Sequence, residues 1–241
     1  MRYELYYWPS IPGRGEFVRL ALEAAGADYL DVARMAGRGR GVQALQDILE
    51  DETLAQRPYA PPFLRAGRLV IAQTANILLY LGPRLGLVPA SEAARLWAHQ
   101  LQLTVADFVD EIHDTHHPIA ASLYYRQQKA EALRRSRYLR TQRMPKYLDY
   151  FEQVLKNKPR AKMHLVGSEL TYPDLSVFHL LAGLCYAFPR TMKKLQPHYP
   201  RLIALSRMVL AQPRVAAYLR SRRRLPFNQY GIFRHYPELD G

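Results

Sequence analysis

Two adjacent prolines, Pro61-Pro62, with Gln73-Thr74 following nine residues after Leu64, form the first chemically suggestive group. A Pro–Pro bond can adopt the cis form, which usually sits in a tight turn. Gln73 and Thr74 open an apolar-periodic stretch (Ile77, Leu78, Leu81), which predicts a helix. Free N–H groups at a helix start, with a hydroxyl and an amide beside them, suit a carboxylate or phosphate. The same residues also fit a plain proline turn and a threonine N-cap with no ligand. His113-Asp114-Thr115-His116-His117 is a second group. His113 and His117 lie four apart on one helix face, a spacing at which imidazoles can bind zinc. But Pro118 ends that helix, and histidine near a helix C-terminus is favoured by the dipole. The expectation is therefore no metal, with these residues lining a cleft or capping the helix beside Tyr124 or Tyr125. Cys185, the only cysteine, falls in the apolar run Leu180–Phe188 and is expected in a core.

The elements that must position these groups change character along the chain. Tyr3, Leu5 and Tyr7 alternate with Glu4 and Tyr6, a strand pattern. Glu16–Ala25 is helical, with Phe17, Leu20, Ala21 and Ala24 on one face and Gly26 as its C-terminal cap. A second strand over 28–33, a Gly/Arg-rich loop over 34–41 and a helix over 42–55 follow. Phe63–Arg65 and Leu69–Ala72 form a hairpin around Gly67, and the helix from Gln73 completes a β-α-β-α-β-β-α order. That order predicts an α/β layer with a mixed sheet. A linker over 85–90 leads into helices only. They span 92–117, 127–156 with a kink at Pro145, and 171–184, then about 200–211 and 213–222. Thr171-Tyr172-Pro173-Asp174 carries an N-cap, a first-turn proline and a capping-box acid, with Leu170 as a staple. The tail over 225–241 is rich in aromatics and is expected to lie on an apolar surface.

With 241 residues, 49% of them apolar and 23% charged, the chain has globular values and room for one or two domains. It has no apolar run of about 18 residues, so no membrane span is expected. The first residues lack an apolar signal core, and a single thiol fits a reducing cytoplasm. The net charge of +13 comes partly from Arg134, Arg135, Arg137, Arg140 and Arg143, and from Arg220 and Arg222–Arg224. The first cluster spreads around its helix and neither sits in a nucleic-acid motif. The expectation is a solvated face without nucleic-acid or membrane partners.

Three features now coincide: Tyr6-Tyr7-Trp8-Pro9 running into Gly13-Arg14, Pro61-Pro62 ahead of Gln73-Thr74, and Gly167–Asp174 opening an apolar helix. In this order they resemble the cytosolic glutathione S-transferases over nearly the whole chain. The likeness is to the tyrosine-type classes (mu, pi, sigma), in a bacterial-like form. It implies a thioredoxin-like N-terminal domain (1–86) that binds glutathione and an all-helical C-terminal domain (87–241). It also implies a cytoplasmic homodimer with a detoxifying role, and a hydrophobic co-substrate site between the domains.

By that resemblance the cis-proline is Pro62, and the backbone of Pro61 pairs with the cysteinyl part of glutathione. Gln73 and Thr74 take the γ-glutamyl carboxylate, Thr74 standing where serine is usual. Arg14 and Trp8 border the site. Arg38 and Arg40 are the candidates for the glycyl carboxylate, although the expected tryptophan or lysine is missing. Asp107 matches an aspartate that reaches the γ-glutamyl amine of the other subunit. His113, His117, Tyr124 and Phe233 are assigned to the co-substrate cleft. A free thiol with pKa ~8.5 is only a few per cent ionised at neutral pH, so the reaction needs a donor that stabilises the thiolate. Tyr7 fits the tyrosine-type pattern. Ser10 is the rival, because Tyr6–Arg14 also resembles the serine-type (delta) pattern, and the loop is about one residue longer than in the tyrosine-type classes. The implied activity is attack of the thiolate on a hydrophobic electrophile, with peroxidase or isomerase chemistry related to it. The alternative is a transferase-like module that binds ligands or docks a partner without turnover.

Overall fold

A computed structural model describes residues 2–158 and 163–241. The first part contains β1 (Tyr3–Tyr6), α1 (Gly15–Ala25), β2 (Tyr29–Asp31), α2 (Gly41–Glu50), β3 (Phe63–Ala66), β4 (Leu69–Ala72) and α3 (Thr74–Arg84). The sheet order is β2-β1-β3-β4, with β1 parallel to β2 and antiparallel to β3. Alternation along the strands sends side chains to two faces. Tyr3 and Leu5 meet Val18 and Leu22 of α1 and Ile77 and Leu81 of α3 on one face. Tyr6 and Phe63 meet Ala44 and Leu45 of α2 on the other. Helices therefore cover both faces of a four-stranded mixed sheet, the thioredoxin-like layer.

Two elements here are shorter than their sequence pattern. The second strand spans only Tyr29–Asp31 before a 3-10 turn over Val32–Arg34. The helix expected to reach residue 55 stops at Glu50. Asp51 Oδ1 accepts both the N–H (2.9 Å) and the hydroxyl (2.6 Å) of Thr53, a side-chain turn that competes with helix.

All that follows is helical: α4 (Glu92–His113), α5 (Lys129–Tyr138), α6 (Met144–Lys156), α7 (Tyr172–Ala187), α8 (Pro189–Leu195), α9 (Pro200–Leu210) and α10 (Pro213–Arg220). α7 is apolar all round, as a central helix must be. Its start is closed as the sequence indicates. Asp174 accepts the backbone N–H of Thr171 (2.8 Å) and that of Leu165 (2.7 Å). α4 ends at His113 instead of 117, and two tight turns carry the chain on, with Thr115 N–H bonded to Ile112 O (3.1 Å) and His116 N–H to His113 O (3.2 Å). The single helix expected over 127–156 is divided by a π-helical turn at Leu139–Arg143. Pro145, the second residue of α6, has no N–H to offer the carbonyl four residues back.

The tail packs on this helical body, with Ile232, Phe233 and Leu239 buried. One apolar core runs through both parts, joining Phe17 and Leu78 to α4 and α7. Much of the basic charge is internally paired. Arg143 grips Glu111 through Nε (2.9 Å) and Nη2 (2.6 Å), and Arg223 grips Glu23 (2.8 and 2.9 Å). No described helix is long and apolar enough to cross a membrane.

Candidate active site

The antiparallel register pairs Tyr6 with Phe63, so the next residues, Tyr7 and Pro62, face each other at the end of the sheet. The Pro61–Pro62 peptide is cis. Tyr6 points away from this end: it stacks on Phe63 (4.7 Å between ring centres) and donates to Glu4 (3.0 Å). Tyr7 points towards α1 and is buried beneath Gly13 and Gly15. A Cβ at Gly13 would lie 2.1 Å from the Tyr7 hydroxyl, and one at Gly15 would lie 2.5 Å from the ring. Gly13 also has φ +44°, a conformation that disfavours side chains.

The Tyr7 oxygen accepts the backbone N–H of Arg14 (2.9 Å), at the start of α1. Burial pushes its pKa up, and that N–H together with the Arg14 and Arg19 charges only partly offsets the rise. The phenol is thus protonated at neutral pH. Its acceptor side is used, and among the described residues nothing accepts its hydrogen. Ser10 sits in an exposed turn, and its carbonyl is held by Asn228 Nδ2 (2.8 Å) from the tail. Trp8 is part-exposed between them.

Gln73 has φ +69°, the only positive φ among the described non-glycine residues, and turns the chain sharply into α3. Its side chain is exposed. The Thr74 hydroxyl is buried without a partner, so it does not serve as a cap. It borders a cavity of about 20 Å³, shared with Arg14, Phe17 and Gln102, whose Oε1 is also unpartnered. The Arg14 guanidinium bonds to Asp110 on α4, which ties the α1 start to the helical part. Asp107 is exposed one turn earlier on α4. Arg38 and Arg40 are exposed in the loop before α2, and Arg34 is engaged elsewhere, on the Arg222 and Arg223 carbonyls (3.3 and 2.5 Å).

A larger cavity of about 710 Å³ opens beyond α4, lined by His117, Tyr124, Tyr230, Arg234 and Tyr236 among others. Tyr124 is on its rim, 70% exposed. Beside it the turn after α4 gathers His113, His116 and His117, with one ring nitrogen from each within 4.8 Å of the others. Burial lowers the pKa of all three, with help from Arg14 at His113 and from Arg234 at His116 and His117; His116 falls to about 2. All three are therefore neutral at physiological pH.

Phe233 does not line this cleft. It is 1% exposed, and its ring fills a notch on α7 where a Cβ at Gly183 would lie 2.5 Å away. Sequence reading also misses Asp110 and Arg234. Asp110 shares a helix face with Asp107, and that i, i+3 relation was the available signal.

Residues 113–222 match the family model described as the glutathione S-transferase C-terminal domain. The chain is 25% identical over 224 residues to a glutathione S-transferase of Plasmodium falciparum (isolate 3D7), covering 91% of this chain and 95% of that one. It is 24% identical to glutathione S-transferase P 1 of Xenopus laevis, covering 91% and 92%. Among solved structures, prostaglandin synthase D of Nilaparvata lugens shares the fold, with a TM-score of 0.70, 21% identity and coverage of 94% and 100%.

Proposed function

We infer that this chain is a glutathione transferase of the tyrosine type, with Tyr7 as the group that holds the thiolate. The observation that carries the assignment is the Tyr7 hydroxyl itself, filled as an acceptor by Arg14 N–H (2.9 Å) and free as a donor at the N-terminus of α1. The cysteinyl thiol releases its proton to solvent, and the sulfur then accepts the Tyr7 O–H. The positive end of α1 favours the same charge. Lowering the thiol pKa by ~2 units corresponds to ~2.7 kcal/mol and leaves most of the sulfur ionised. The thiolate attacks an electrophilic carbon. An S–C bond forms as the leaving group departs or as electrons move onto the acceptor.

The rest of the tripeptide follows from the surrounding groups. The γ-glutamyl carboxylate sits at Gln73 and Thr74, where the first turn of α3 and the unpartnered Thr74 hydroxyl await an acceptor. The Pro61 backbone meets the cysteinyl amide. Arg38 and Arg40 are free in solution-facing positions for the glycyl carboxylate. Asp107 is exposed and available to a second copy of the chain, which fits a homodimer. We divide the chain at residues 86 and 87, where strands give way to helices. The hydrophobic electrophile enters beside His113, His117 and Tyr124. The lone cysteine suits a reducing cytoplasm, and detoxification is the role such an activity serves.

The test is to titrate glutathione into the protein while following thiolate ultraviolet absorbance near neutral pH. Saturable thiolate formation that disappears in Tyr7→Phe is the expected result. Binding without thiolate overturns the assignment of Tyr7, and no binding overturns the function.

A further inference from the structure

We propose that His113, His116 and His117 form a binding site for a divalent transition-metal ion, zinc by its chemistry, at the end of α4. The site owes its geometry to the turn and not to helical spacing. α4 stops at His113, and the two tight turns after it bring the next two imidazoles back towards the first. The three ring centres are 5.0 to 5.1 Å apart. One nitrogen from each ring lies within 4.8 Å of the others. Three ligands at ~2.05 Å from a tetrahedral ion stand ~3.3 Å apart, so the rings need to close by up to about 1.5 Å. His113 and His117 are both only part-buried and have room for that rotation.

The surroundings resemble those that orient metal ligands. A ligating imidazole commonly donates its other N–H to a backbone carbonyl. His116 Nε2 lies 2.8 Å from Ile232 O, which fixes the hydrogen there. His116 Nδ1 is left buried and without a partner, on a residue 1% exposed. His117 Nδ1 accepts from Nε2 of Gln128 (3.3 Å), a fully buried amide whose Oε1 accepts the Ile119 N–H (2.9 Å), so ligation requires the ring to turn away from that amide. His113 Nδ1 faces the Asp114 carboxylate at 3.5 Å. Arg14 and Arg234 lie close enough to oppose a cation, and Asp114 opposes them. His117 also lines the 710 Å³ cavity, which gives an ion a route in and leaves a fourth position for water. Among the described residues this is the only group of three or more potential metal ligands brought together in this way.

The experiment is calorimetric titration of zinc chloride into the chelator-treated full chain, without glutathione, paralleled by cobalt chloride and visible spectroscopy. One saturable site is expected, with the intense visible bands of four-coordinate cobalt. His113→Gln and His117→Gln should each weaken binding at least about tenfold. Both lie near the surface, and circular dichroism checks that they fold. His116→Gln is secondary because its ring is buried. The proposal is overturned by the absence of saturable heat, by a weak six-coordinate cobalt spectrum, or by an unchanged isotherm in the His113→Gln/His117→Gln double variant. Because glutathione is absent throughout, none of these outcomes bears on the thiol site.

Discussion

Tyr218 of α10 donates its hydroxyl to Glu16 of α1 across 2.8 Å, with both side chains closed off from solvent. Arg224 (3.2 Å) and Arg19 (3.5 Å) complete the carboxylate's company. This network joins the last helix to α1, whose N-terminal end meets the Tyr7 hydroxyl. Tyr218→Phe removes one bond from a buried carboxylate, which costs ~1–3 kcal/mol. Urea denaturation should show a lower midpoint with an unchanged slope. An unchanged midpoint would mean that the arginines alone hold Glu16.

The thiol chemistry predicts a separation of binding from rate. Tyr7→Phe should keep glutathione binding within a few-fold and reduce turnover by up to ~100-fold, the loss of ~2.7 kcal/mol of thiolate stabilisation. Gly13→Ala should do similar damage by displacing the Tyr7 hydroxyl from 2.1 Å away. Steady-state kinetics with a chromogenic electrophile reads both. Ser10→Ala should leave the rate nearly intact. Full activity in Tyr7→Phe together with an inactive Ser10→Ala would move the role to Ser10.

Thr74→Val separates a binding role from a structural one. The Thr74 hydroxyl is buried and unpartnered, so an isosteric valine should leave thermal stability level or slightly higher. Glutathione, however, loses a hydrogen bond to its carboxylate, worth ~1.5 kcal/mol or more, and KM should rise about tenfold. Loss of stability with an unchanged KM would refute the assignment.

Acid should weaken the helical part through Glu111. Burial works against its ionisation, but hydrogen bonds from Arg143 and Tyr147 and the charges of Arg143 and Arg135 outweigh it, and its pKa falls below 4.5. A depressed carboxyl contributes stability above its unfolded pKa and loses it as pH drops towards the folded value. Stability should therefore decline below pH 4.5, and Glu111→Gln should flatten that decline. The pair is solvent-accessible at Arg143, so the difference at neutral pH is about 1 kcal/mol. Denaturation curves across the acid range measure it.

Local signals in the sequence carried much of the architecture. Alternation at Tyr3, Leu5 and Tyr7 marked β1, Gly26 marked the end of α1, and Thr171 with Asp174 marked the start of α7. What stayed hidden depended on distant partners. α8 has no local cap because Asp240 supplies it from about fifty residues away, accepting Arg190 N–H (2.6 Å) and Thr191 N–H (3.0 Å). Phe233 fits a cleft wall and a core equally well until Gly183 is seen to leave room for its ring. The histidine group carried a helical spacing, yet the turn past α4 is what gathers it, and no periodicity encodes that turn. At the α1 start, only the close packing of Gly13 and Gly15 shows how Tyr7 is oriented.

The Asp240 bond to the start of α8 also bears on the order of assembly. Until synthesis reaches that aspartate, two amides near the beginning of α8 must be satisfied by water. A nascent chain can therefore complete its sheet on the ribosome, while the helical half waits for its final clasp. Until that clasp forms, the apolar shelf that Phe233 and Leu239 cover stays open to solvent.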